Sequence, residues 1–78
     1  MKKREVYHIV FESDISAWKV EKEGSPRAIT RTGAKDAAVR AAKSLARSAV
    51  HGRVVIHRKD GEIQEELNYG RDPAAGLA

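Results

Sequence analysis

From Val6 to Phe11 the chain is largely apolar, and its two parities separate into Val6, His8 and Val10 on one side and Tyr7, Ile9 and Phe11 on the other. Successive strand side chains point to opposite faces, so Arg4 to Phe11 reads as a strand covered on both. Glu12 to Ser16 is a polar turn region. Ala17 to Glu23 then alternates, with Trp18 and Val20 inward and Lys19 and Glu21 toward water, the pattern of a strand with one wet face. Gly24-Ser25-Pro26 ends it. Arg27 to Arg31 is either a short third strand or an extended connection, and Pro26 confines it to an edge.

The periodicity changes after Thr32, the expected N-cap of a helix from about Ala34 to Val50. At 100° per residue Ala34, Ala38, Ala41, Leu45 and Ala49 share one face, and Asp36, Arg40, Lys43 and Arg47 share the other. An apolar stripe made almost wholly of alanine lets a helix approach its sheet closely. Gly52 is the expected stop. Arg53 to Lys59, with Val54, Val55 and Ile56 in a row, reads as a buried strand. Asp60-Gly61 is a tight-hairpin signature leading into a returning strand from Glu62 to Tyr69. Ile63, Leu67 and Tyr69 share a face of that strand with Glu65. Gly70 to Pro73 reads as a turn, and residues 1–4 and 74–78 as frayed termini.

The expected fold is therefore α+β: an antiparallel sheet of about four strands, in the order β-β-(short β)-α-β-β, with one helix on one face. Its core should include Ile9, Trp18, Val20, Ala38, Ala41, Leu45, Ile56 and Ile63. A chain of 78 residues makes one domain. It buries only about 60% of the surface its unfolded form exposes. With no cysteine it has no disulfide staple and no thiolate zinc site. The helix covers one face only, so the second apolar parity of the first and fourth strands leaves Val6, Val10 and Val55, or their opposites, in need of cover. A second copy of the chain is one expected partner.

Charge adds a second candidate. Residues 1–23 balance, residues 24–59 carry a net +8 with Asp36 as their only acid, and residues 60–78 carry −4. A middle segment of this kind attracts a polyanion or the acidic end of its own chain. Arg40, Lys43 and Arg47 lie side by side at helical spacing, and Lys35 and Arg31 are expected to extend them, with Arg27 and Arg53 as further candidates. Several cations on one surface can neutralise phosphates, so DNA or RNA is the working partner, bound weakly and without sequence preference. A solvated helix face is the bland alternative. There is no zinc finger, basic zipper or helix-turn-helix, and most aromatics read as core rather than stacking platforms.

Nothing in the sequence is arranged as a catalytic site. No serine or threonine sits in a nucleophile elbow. Glu65 and Glu66 point to opposite faces, and no glycine-rich phosphate loop is present. The chain is thus expected to be neither an enzyme nor a cofactor protein. His8 and His57 could meet if their strands are neighbours, but a metal would need a third ligand and outer support. The expectation is local hydrogen bonding and no metal. No apolar run is long enough to span a bilayer, and Glu5 interrupts the basic start before any signal-peptide core, so a soluble cytoplasmic protein is expected.

Read in order, Tyr7-His8-Ile9-Val10, Ala17-Trp18-Lys19-Val20, Thr32 opening an alanine-rich helix, Val54 to Ile63 with its His-Arg-Lys-Asp-Gly hairpin, and Tyr69-Gly70-Arg71-Asp72-Pro73 resemble a family of short bacterial proteins. That family is catalogued as domain of unknown function 2188. The resemblance spans about Tyr7 to Pro73. It supports the fold and implies no activity. Where the family often has glycine before the tryptophan, this chain has Ser16-Ala17, which leaves the first turn type open.

Overall fold

The computed structural model describes residues 4–25 and 27–70. The basic start before Arg4, Pro26, and the turn and tail after Gly70 lie outside these residues. Five strands and one helix follow in the order β1 (Arg4–Glu12), β2 (Ala17–Lys22), β3 (Ala28–Thr32), α1 (Lys35–Ser48), β4 (His51–His57) and β5 (Ile63–Gly70). All five strands form one sheet, ordered β3-β2-β1-β4-β5. The α+β class with a single helix on one face holds. The antiparallel sheet of about four strands does not: β1 and β4 pair in parallel at the centre, and an antiparallel partner flanks each outward.

The mixed sheet follows from a count of reversals. Each step from β1 through β2, β3 and α1 to β4 reverses the chain, and four reversals return it to the direction of β1. Treating residues 27–31 as an optional connection removes one reversal and gives the opposite answer. Arg4, expected to fray, is instead the first residue of β1 and pairs with His51.

The register defines the two faces. Toward the helix, Ile9 lies between Val20 and Ile56, and Tyr7 sits opposite Val54, which in turn faces Leu67. Ile9, Val20 and Val54 have no exposed surface, and Trp18 and Tyr7 are buried beside them. Each such aliphatic side chain contributes on the order of 1.5–3 kcal/mol on burial. On the other face Val55 is only 5% exposed within the single chain, while Val6 and Val10 are half-buried. Among the described residues the large exposed apolar side chains are Ile15, Ile29, Val50 and Ile63. Ile63, expected in the core, is outside it because the register shifts between Ile56 and His57 and sets it opposite His57.

The helix is rotated from the expected orientation. Ala38, Ala42 and Ala46 are fully buried, with Val39 and Leu45 packed at their sides. Ala41 is half-buried and Ala34 exposed. The alanines point straight at the sheet and the longer side chains straddle them, a turn of roughly 60° about the helix axis at 100° per residue. Thr32 is not the N-cap. That position is Ala34, and the Thr32 hydroxyl accepts from the Ala34 N–H at 3.3 Å, closing the turn before the helix. Ala49 is extended and ends the helix.

Gly52 does not stop the helix either. It lies within β4 on the helix side, where an added Cβ would fall 2.7 Å from the Ala46 Cα. Three turns use positive-φ backbone: Ser16 (φ 49°) in the β1–β2 turn, Gly24 (φ 86°) after β2 and Gly61 (φ 95°) in the β4–β5 hairpin. Ser16 thus occupies the kind of backbone position that glycine fills without strain.

Gly52→Ala is expected to destabilise the fold by at least about 2 kcal/mol, seen as a lower urea midpoint. Adding Ala46→Gly should restore little, because the obstruction is the backbone of residue 46.

Candidate functional site

Several charged side chains on the sheet face away from the helix are paired. Glu12 accepts from Arg31 Nε at 2.7 Å and lies 3.6 Å from Lys19 Nζ. Lys19 also meets Glu21 at 3.2 Å, and Arg53 bonds Glu66. Toward the edge of the other face Lys22 pairs with Glu5. The hydrogen bond from Arg31 holds the Glu12 carboxyl below the usual carboxylate range, against partial desolvation, with the Arg31 and Lys19 charges adding to it.

This arrangement separates the five expected phosphate-binding residues. Arg31 is on the sheet face opposite the helix, next to Lys19 across β2–β3, with its charge met by Glu12. Lys35 opens the helix on its sheet-facing side, with Nζ 4.9 Å from the Trp18 ring centroid and a hydrogen bond to Gln64. Arg40, Lys43 and Arg47 remain together on the outward side. Arg40 and Arg47 are exposed and Lys43 is half-buried. None of the three forms an ion pair with a described carboxylate, Asp36 one turn earlier included. Arg47 extends to 5.8 Å from the Tyr69 ring, and Lys59 covers Phe11 in a similar way at 5.0 Å. With Trp18 and Tyr7 buried, the aromatics offer few free faces for stacking bases.

The histidines meet at the junction of β1 and β4. His8 Nδ1 is 3.0 Å from His57 Nε2, His8 Nε2 is 2.8 Å from Glu23 Oε1, and His57 Nδ1 is 3.1 Å from the Gly61 carbonyl oxygen. They border an open trough of about 710 Å³ whose charged walls are Lys19, Glu21, Lys22 and Glu23. Among the described residues no group of three or more histidine, cysteine, aspartate or glutamate side chains is placed to hold a metal. The pair was open to sequence reasoning only as far as strand adjacency. The bond to Glu23 comes from the chain reversal after β2, where the Glu23 N–H also donates to the Val6 carbonyl at 2.8 Å.

Arg31→Gln is expected to move the Glu12 titration up toward the ordinary carboxylate value, followed by carboxyl ¹³C shifts against pH. Because the folded-state value is depressed, the contribution of Glu12 to stability is present above the unfolded value and disappears as pH falls through the folded one. That acid-side loss should shrink in Arg31→Gln.

No helix among the described residues is long and apolar enough to cross a membrane. No curated protein and no solved structure matches the chain. A family model described as an uncharacterized protein conserved in bacteria matches residues 7–69, from the first core tyrosine to the one beneath Arg47. The chain belongs to that family, domain of unknown function 2188.

Proposed function

We propose that the protein binds nucleic acid through its phosphate backbone, using the outward face of α1, weakly and with little sequence preference. The observation that supports this most is the stripe of Arg40, Lys43 and Arg47, which meets no described carboxylate although the sheet cations Lys19, Arg31 and Arg53 each do. These three cations span about 10 Å of helix at 1.5 Å per residue. Phosphate contacts set position and affinity but read no bases. The buried aromatics favour a duplex or structured backbone over a stacked single strand.

Binding of a labelled duplex should weaken steeply with salt. Three neutralised phosphates give a slope of about −3 in log K against log salt, as counterions are released from the nucleic acid. Changing Arg40, Lys43 and Arg47 together to Glu should abolish binding, whereas Arg31→Gln should leave the slope nearly unchanged. No binding at low salt, or a triple variant that binds like the native chain, would contradict the proposal.

A further inference from the structure

The contacts around His8 and His57 fix where their hydrogens sit. A carbonyl oxygen only accepts, so the 3.1 Å contact with Gly61 places a hydrogen on His57 Nδ1. An ionised carboxylate also only accepts, so the 2.8 Å contact with Glu23 places a hydrogen on His8 Nε2. If both rings were neutral, the remaining nitrogens, His8 Nδ1 and His57 Nε2, would face each other as two lone pairs 3.0 Å apart. That arrangement needs a cation between them.

Two cations suit facing imidazoles, and distance decides between them. Nitrogens bound at about 2.0–2.1 Å to a tetrahedral metal stand about 3.3–3.4 Å apart. The observed 3.0 Å is shorter and matches an N–H···N bond. No third ligand of the usual kinds joins the pair among the described residues. We propose that His8 and His57 hold one bridging proton, with Glu23 as its counter-charge, forming a pH-responsive latch on the sheet face opposite the helix.

Other charges around the pair are engaged, apart from Arg58 beside His57, which forms no described ion pair. From β2, Lys19 is met by Glu12 and Glu21, and Lys22 by Glu5. From β4 and β5, Arg53 is tied to Glu66, and in the hairpin the Asp60 carboxylate accepts from the Glu62 N–H. Glu23 is therefore the carboxylate that answers the shared proton. The resulting chain runs from the turn after β2, across β1 and β4, to the hairpin at Gly61. Removing the bridging proton breaks it, because two neutral imidazoles cannot supply all three hydrogen bonds. With Glu23 and Gly61 keeping the two remaining hydrogens, the lone pairs of His8 Nδ1 and His57 Nε2 face each other and the central bond opens.

The test is imidazole nitrogen NMR on the whole labelled chain, in a pH series running from the acid to the alkaline side of the range over which the fold persists. Toward lower pH a through-hydrogen-bond coupling should link His8 Nδ1 to His57 Nε2, with His8 carrying hydrogens on both nitrogens. Toward higher pH the coupling should disappear, and amide exchange in the β4–β5 hairpin or the turn after β2 should rise. Glu23 is largely exposed, so Glu23→Gln should fold normally, and at equal pH it should show a several-fold smaller population of the bridged form. Absence of the coupling at every pH where the fold persists would overturn the proposal. So would an unchanged population in Glu23→Gln, or stoichiometric zinc binding at micromolar concentration that brings the two nitrogens onto a metal.

Discussion

The close seating of the helix on the sheet governs the rest of the molecule. Ala38, Ala42 and Ala46 place nothing larger than a methyl group between the helix backbone and the strands, and Gly52 gives up even that where β4 passes Ala46. A small domain has little apolar surface to spare. Here the core is made by bringing backbones together and filling the flanks with Trp18, Tyr7, Val39 and Leu45. Once the alanines are committed to the sheet, the rotation of the helix is fixed. Arg40, Lys43 and Arg47 must then point outward.

The same constraint divides the charge. Strand cations stand beside strand carboxylates, since neighbouring strands bring residues distant in sequence to within ion-pair distance. Arg31 meets Glu12 across the sheet, and Arg53 of the basic middle segment meets Glu66 of the acidic end. Exposed pairs of this kind contribute little stability, commonly 0–1 kcal/mol. Their larger effect is to cancel the field on one side of the molecule. On the outward face of α1, Arg40, Lys43 and Arg47 form no ion pair with a described carboxylate. Of the valines on the sheet face away from the helix, Val55 is nearly covered within the single chain, and Val6 and Val10 are half-buried.

Much of this was legible in the residues. The strand alternation, the alanine helix and the Asp-Gly hairpin all mark elements that form, because each is a local pattern. What was lost depended on how elements meet. One short strand, Ala28–Thr32, decided the parity of the central pair and so turned an expected antiparallel sheet into a mixed one. A one-residue register shift moved Ile63 out of the core. Lys35 was recoverable from spacing alone, since it falls within about 20° of Ala42 on the helix circle and so faces the sheet. Arg31 was not, because its partner Glu12 is 19 residues away and reached only through β2. His8 and His57 needed the parallel pairing before they became neighbours at all.

The central claim is that the outward helix face is the uncompensated surface and the sheet face is not. The most direct measurement is chemical-shift mapping of the labelled protein with a short duplex at low salt. Shifts confined to the outward residues of α1, centred on Arg40, Lys43 and Arg47 and reversed by added salt, are the result this account predicts. Shifts centred instead on the paired sheet residues Lys19, Arg31 and Arg53, or none anywhere, would contradict it.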